Sequence, residues 1–586
     1  MNSKKIKIAD IIGIIFLVFG AGVLIRSACL TVSYDIWFDE LFTVELASKP
    51  VPQLLSLAAR DVHPPLYYLV VRAVYIILNG ATHADIICAA KIASVIPYFL
   101  LLIYALVFIR KRFGALGAGL GFFWAVTAPK LMEYTVEARM YSWCGVVVAV
   151  MFMHAWAAVD AALGSRKNTK YYVNLLTVLI YGICAMYLHY YSAIAAICIV
   201  IWMVVKLFVD LHNINQQTVR SEGISSLSPD KSEDDNYNGN GIINSKHIVV
   251  SCVACIILGI AAYIPWLKSA LSQAGAVKNS YWIQPLTWRI IPGCIKYIFT
   301  PEFESQAANV LLCGVCVVCV AAMFVYMLIL SRKDKSDSLH NSGVGIDKQP
   351  DLHSGSLQKR YHSGLHNATF IAGTFIIPAC TILTGIIISF LIKPVFVYRY
   401  MIPVLILFWM GCGCMVSHLV SYVNRNLILV AASALVVCMS VIGVRDISGF
   451  IGMEKFKAVK MHQAEELFSD IENNHGDELI VCNFNQIQAL MWHYLPNDSL
   501  LWGETEELLI ADICGRSPII MTTDYDELKD MVSKRGQDSF LFFGSFNSRD
   551  DIIDEWEARG ASCEPVYDSV FVERYYFNVY NVMCNE

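Results

Sequence analysis

Long apolar runs, each close to the length of a bilayer crossing, alternate with short polar joints through the first three quarters of this chain. A helix needs about 20 apolar residues to cross the hydrocarbon core, because backbone amides left unpaired in lipid are costly. Eleven runs meet or approach that length: 8–29, 86–109, 114–129, 141–163, 172–188, 191–209, 247–267, 307–330, 369–391, 401–420 and 427–444. The stretch 66–79, "LYYLVVRAVYIILN", is shorter and carries Arg72 at its middle. It is expected to lie in the outer interface without crossing.

From about residue 446 the pattern changes to short apolar runs among frequent charges. "ELIVC" (478–482), "PIIMTT" (518–523) and "SFLFFG" (539–544) read as buried strands. "NQIQALMWHYL" and "DYDELKDMVSKRG" read as helices, with Thr523 and Asp526 forming a capping-box-like start and Ser548 with Asp551 another. The run 569–583, aromatic and β-branched, is expected to close a sheet. The predicted architecture is a polytopic α-helical membrane protein of about eleven transmembrane helices over 1–445, followed by a C-terminal α/β domain over 446–586 that is long enough for its own core.

Composition supports the membrane class: 56% of the 586 residues are hydrophobic and 16% charged, with mean hydropathy +0.52. The net charge of −5 changes nothing in that picture. Most of the nineteen cysteines, Cys252, Cys255, Cys313, Cys316 and Cys319 among them, sit in apolar runs, where thiols behave as small hydrophobes, and their spacing does not support a zinc site. Cys482, Cys514, Cys563 and Cys584 in the polar part allow up to two bridges if that part is exported. In the C-terminal part no P-loop or GxGxxG follows a strand, so nothing suggests nucleotide binding, and no nucleic-acid partner is expected for the chain.

The lysines of "MNSKKIKIAD" place the N-terminus in the cytoplasm, and the first run is too long, and too poor in small residues at its end, for a signal peptide. Alternate counting then puts Arg110-Lys111-Arg112, Arg166-Lys167-Lys170, Arg332-Lys333-Lys335, Lys359-Arg360 and Arg425 in the cytoplasm, as the positive-inside rule requires. Residues 210–245 and 331–366 are expected to be disordered cytoplasmic linkers. The outer loop 30–85, the loop 130–140, residues 188–190, 392–400 and the C-terminal domain fall on the extracytoplasmic side.

That side collects the candidate chemistry. "YDIWFDELFTVELASKP" puts Asp39 and Glu40 beside Ile36, Trp37 and Phe38, where partial desolvation strengthens a carboxylate as a base. The same segment also reads as an amphipathic helix with Asp39 near its N-terminus, a purely structural use. His63 in "RDVHPPLYY", Glu137, Arg139 and Tyr141 in "YTVEARMYSW", His189 in "YLHYYS", and Arg399 with Tyr400 in "VYRYMIP" share the face. His63 before two prolines also suits a helix entry, His189 an interfacial anchor, and the arginines lipid head groups. Together these residues support attack of an acceptor hydroxyl on an anomeric carbon, with a lipid-linked phosphate departing onto guanidinium groups. A phosphate monoester with a second pKa of about 6 leaves without a metal ion, so no cofactor is required, although a divalent metal is compatible with the chemistry.

"WFDELFTVELA", "DVHPPLYYLVVRA" and "EARMYSW", in that order, resemble the C-type (GT-C fold) membrane glycosyltransferases, in particular the protein O-mannosyltransferase and lipid A aminoarabinose transferase group. The likeness covers roughly 8–200 and extends weakly to "YRYMIP". It implies a polyprenyl-phosphate sugar as donor, a catalytic Asp39 and Glu40 pair, Arg139 on the donor phosphate with Arg399 as second candidate, and His63, Glu137, Tyr141, His189 and Tyr400 as substrate contacts. The acceptor is left open among protein, lipid and cell-wall glycan, and the C-terminal domain has no counterpart in the group. A bacterial plasma-membrane enzyme using an undecaprenyl-phosphate sugar is the expected version. The alternatives are a lipid or sugar transporter or flippase, disfavoured because Lys91, His154 and Asp160 are the main ionisable residues within the spans, and a sugar-binding module without activity.

Overall fold

The computed structural model describes residues 3–32, 36–164, 168–225, 245–279, 285–341, 352–422, 426–476, 478–483, 491, 513, 522–545, 548–572 and 575–585. The helices are α1 (Ser3–Cys29), α2 (Phe38–Ser48), α3 (Val51–Ala58), α4 (Leu66–Ile77), α5 (His83–Tyr104), α6 (Arg110–Thr127), α7 (Tyr141–Gly164), α8 (Asn168–Leu188) and α9 (Tyr190–Ser225). They continue with α10 (Ser245–Asn279), α11 (Ile290–Phe299), α12 (Gln306–Asn341), α13 (Leu352–Leu391), α14 (Ile402–Tyr422), α15 (Asn426–Asn474), α16 (Tyr525–Lys534) and α17 (Ser548–Ala558). The strands are β1 (Leu479–Cys482), β2 (Ser539–Gly544), β3 (Ala561–Val572) and β4 (Tyr575–Cys584).

Ten helical stretches among the described residues are long and apolar enough to cross a membrane, which makes the chain an integral membrane protein. One of them, Asp85–Thr127, contains two of the expected spans; a π-helical turn at Ala105–Ile109 and Gly114, whose φ of 71° no β-carbon-bearing residue adopts comfortably, separate its two legs. α4 is one of two short apolar helices, in keeping with a segment too short to cross. Parts of the expected linkers are helical instead: α9 runs to Ser225, α12 to Asn341, and α13 opens at Leu352. Extending a nucleated helix costs little per residue, so apolar helices carry on into polar sequence.

Two compact units form. The first comprises Met1–Cys29, Ser94–Val136 and Met140–Ser448, the second Leu30–Ala93, Glu137–Arg139 and Gly449–Glu586. In the first, close helix contact depends on small residues: a β-carbon on Gly119 would lie 1.9 Å from the Gly13 carbonyl oxygen, so α1 and α6 touch backbone to backbone. Trp124, Trp156 and Trp409 fill its interior. Two of the ionisable groups inside its spans, Asp160 and His154, have polar partners. Asp160 pairs with Arg112 at 2.9 Å and His366 at 2.8 Å, and His154 lies 2.7 Å from both Tyr104 Oη and Asn174 Oδ1.

In the second unit β1, β2, β4 and β3 form a sheet in that order, β1 parallel to β2 and the remaining pairs antiparallel. β1 and most of β2 are buried on both faces, as strands covered from two sides are. Leu479, Val481, Phe540 and Phe542 pack with Tyr525, Leu528 and Val532 of α16 and Trp556 of α17. On the other face Phe468 of α15 stacks on Phe543 at 6.3 Å. The run 569–583, expected as one strand, is divided: its start ends β3 and the remainder forms most of β4, the two strands pairing antiparallel. The helix cap also differs, because Asp524 and not Thr523 accepts the Glu527 N–H, at 2.9 Å. The expected strand 518–523 and helix at "NQIQALMWHYL" lie almost wholly outside the described residues, as does Cys514, while Cys482, Cys563 and Cys584 are unbridged.

Candidate active site

The second unit holds five of the expected residues, Asp39, Glu40, His63, Glu137 and Arg139. α2 buries Leu41, Val44 and Ala47, the spacing of one helical face, and this orients its first turn. Glu40, 5% exposed, reaches back so that Oε2 accepts the Trp37 N–H at 3.1 Å, half of a capping box. Its other oxygen accepts the N–H of Ala138, 98 residues away, at 2.7 Å. At the far end of α2, Arg72 Nη1 from α4 donates to the carbonyls of Ala47 and Ser48, both at 3.1 Å, which puts a cation where a helix leaves unpaired carbonyls.

Between α3 and α4 the loop turns through Asp61, His63 and two prolines, and Pro65 caps α4 with its fixed φ. Asp61 Oδ2 lies 3.3 Å from His63 Nδ1 and accepts the Tyr68 hydroxyl at 3.1 Å. His63 Nε2 faces Arg139 Nη2 at 3.4 Å. An arginine nitrogen only donates, so Nε2 is assigned as acceptor, and the imidazole proton sits on Nδ1, directed at Asp61. Arg139, 4% exposed, also donates from Nη1 to the Asp39 carbonyl at 2.9 Å, and its own N–H donates to Glu137 O at 2.7 Å in a tight turn.

Charge follows this geometry. Burial and the Arg139 charge push the His63 pKa down, against the pull of Asp61 and Asp39, which favours neutral imidazole. Burial alone would raise the Asp61 carboxyl, but the hydrogen bond from His63, the charge that ring carries once acid protonates it, the Val62 N–H and Arg139 together hold it below its usual range. Burial, then the Asp61 charge, puts the Tyr68 phenol well above its usual value, so Tyr68 remains a donor.

Tyr141, His189 and Tyr400 come together in the first unit. The His189 ring lies 5.6 Å from Tyr141 and 5.0 Å from Tyr400, while Nδ1 accepts the Tyr191 N–H at 3.1 Å. Arg399 sits on the turn Tyr398–Met401, partly exposed. Sequence reasoning passed over Asp61 and Tyr68 and took Arg72 only as a mark against a membrane crossing. The available signal for the first two was the spacing Asp-x-His with a tyrosine one turn into the following helix. Among the described residues no three His, Cys, Asp or Glu side chains are grouped to hold a metal ion.

No protein-family model matches the chain, and no curated relative matches it. Among solved structures it is similar to ArnT from Cupriavidus metallidurans bound to undecaprenyl phosphate, with 12% identity and a TM-score of 0.47 over 97% of both chains. The apo form of that protein matches at 12% identity and a TM-score of 0.44 over 96% of this chain and 97% of the other. The Archaeoglobus fulgidus oligosaccharyltransferase in complex with Zn and sulfate matches at 10% identity and a TM-score of 0.40, over 89% of this chain and 68% of its own. At TM-scores under 0.5 these are similarities alone, and the chemistry of the site has to come from its own residues.

Proposed function

We propose that this membrane protein is an inverting glycosyltransferase that moves a sugar from a polyprenyl-phosphate carrier to an acceptor hydroxyl on the extracytoplasmic side. One observation carries the reading. A buried arginine, Arg139, is held at the backbone of Asp39 and against a neutral His63, so a guanidinium and a carboxylate-bearing first turn meet in one water-poor place. Asp39 takes the proton as the acceptor O–H bond breaks and the oxygen bonds to the anomeric carbon from the face opposite the leaving group. The bond between that carbon and the phosphate oxygen breaks, its electron pair goes to the phosphate, and the lipid phosphate leaves as a monoester. Arg139 stabilises the charge that develops there, an effect worth a few kcal/mol in a desolvated site.

His63 supports this without competing for the guanidinium charge, because its neutral ring offers Arg139 only a lone pair. Asp61 fixes that ring through Nδ1. Tyr141, His189 and Tyr400 are proposed substrate contacts in the first unit, where aromatic faces suit a sugar ring or a prenyl chain; Arg399 is the second proposed phosphate ligand and Glu137 a further substrate contact. The proposed setting is a bacterial plasma membrane with the N-terminus in the cytoplasm, and the domain division proposed from the sequence is 1–445 and 446–586.

The test is transfer by the purified protein from a synthetic undecaprenyl-phosphate sugar to a mixture of peptide, lipid and glycan acceptors, read by mass spectrometry. Release of undecaprenyl phosphate together with a glycosylated acceptor is the expected result. Intact donor moved between the leaflets of a vesicle, with no glycosylated product, would make the protein a transporter instead.

A further inference from the structure

The two neighbouring carboxylates of "FDEL" are held quite differently. Asp39 is partly exposed on the first turn of α2, and its backbone carbonyl accepts from Arg139 Nη1. Glu40 is buried, and each of its two oxygens takes a backbone N–H, one from Trp37 at its own helix start and one from Ala138. The 2.7 Å contact to Ala138 is in the short range typical of a charged acceptor. Ala138 is itself fully buried, so no water stands in for that acceptor if it goes. We infer that Glu40 is a positioning residue, a latch that pins the Glu137–Arg139 turn to the start of α2 and thereby aims the Arg139 guanidinium.

The geometry separates the pair's duties. A carboxylate already spanning two amides has little freedom to collect an acceptor proton, and protonating it would turn one of its accepting oxygens into a donor facing an N–H. With Glu40 removed, Arg139 keeps its charge and its bond to Asp39 O, but the turn loses its tie at Ala138 N–H. The effect on donor binding therefore passes through Arg139, and this functional half rests on the reading of Arg139 as the phosphate ligand; the latch itself does not.

Amide hydrogen exchange on the full-length protein in detergent tests the latch without any ligand. In E40Q the amide group presents N–H to one of the two backbone donors, so exchange in the peptide spanning 137–139 is expected to rise at least about tenfold. E40D, one methylene shorter but still charged, should loosen the turn as well, which separates reach from charge. Undecaprenyl phosphate binding is then measured on the same proteins. E40Q should weaken it about tenfold to a hundredfold, and adding E40Q to R139A should change it less than about twofold, as expected of residues that act as one unit. Unchanged exchange in both E40Q and E40D overturns the latch. So does unchanged exchange and binding in E40Q with transfer lost at saturating donor, because Glu40 would then act on the reacting atoms. If wild type binds no undecaprenyl phosphate while E40Q and E40D still loosen the turn, the latch stands and the phosphate reading of Arg139 falls.

Discussion

Replacing Asp61 by asparagine removes a charge and almost nothing else. The amide oxygen can keep both partners that Oδ2 now has, the His63 Nδ1–H at 3.3 Å and the Tyr68 hydroxyl at 3.1 Å. The charge assistance is lost: hydrogen bonds to an ion contribute about 1.5–3 kcal/mol and neutral ones about 0.5–1.5. The His63 and Asp61 side chains are 12% and 11% exposed, so solvent screening removes little, while the long histidine contact belongs at the low end. The sum is about 2 kcal/mol, or roughly thirtyfold in an equilibrium constant. The assay is reversible unfolding in mixed detergent–SDS micelles for wild type and D61N at about pH 7.5 and about pH 5.

The sign of the pH effect follows from His63. Its folded pKa lies below the ordinary 6.5, so on acidification the unfolded chain takes that proton first, and both proteins lose stability as the pH falls through 6.5. Wild type limits the loss by protonating His63 beside the Asp61 carboxylate. D61N has no such partner, so the gap between the two proteins should widen on going to about pH 5. Asp61's own contribution, from a folded pKa below the ordinary 3.8, is fully present above 3.8 and disappears only at still lower pH, outside this range. A gap under about 0.5 kcal/mol at pH 7.5, or one that narrows on acidification, would refute the Asp61–His63 coupling.

Three other substitutions check the remaining parts. D39N is expected to lower turnover at least about a thousandfold while leaving unfolding within about 0.5 kcal/mol of wild type, since the substitution keeps the side chain's shape and the backbone carbonyl that accepts from Arg139; turnover within threefold of wild type would remove Asp39 as the base. R139K retains a charge but cannot span the Asp39 carbonyl and a phosphate at once, so donor kcat/KM should drop about thirtyfold to a thousandfold, and unchanged donor kinetics would contradict its assignment. R72M strips the carbonyls of Ala47 and Ser48 of their cation and should cost about 1–2 kcal/mol in the same unfolding assay with donor KM nearly unchanged; a large KM effect would place Arg72 in the binding site instead.

Much of the helical framework was legible because lipid imposes a length and a composition on every crossing, and both are local properties of sequence. The same holds for β1, β2 and α16, whose apolar spacing is regular. The hairpin in 561–584 was not legible, because a continuous aromatic and β-branched run carries no mark of where the chain reverses. Asp39, Glu40, His63 and Arg139 were found as residue types in order along the chain. Their hydrogen-bond partners were hidden, since a carboxylate in sequence looks the same whether it is open to solvent or accepts two backbone amides.

Hydropathy and residue order alone were enough to read a many-helix membrane protein with a folded C-terminal part, and to nominate candidate residues in the loop after the first span and the turn before the fourth. That residues 98 to 100 apart share one set of hydrogen bonds, that Asp61 lies against His63 Nδ1, and that Glu40 accepts two backbone N–H groups emerged from the fold alone. Periodicity and hydropathy act over neighbouring residues, whereas hydrogen-bond partners across a fold are chosen by which buried donors would otherwise be left without an acceptor.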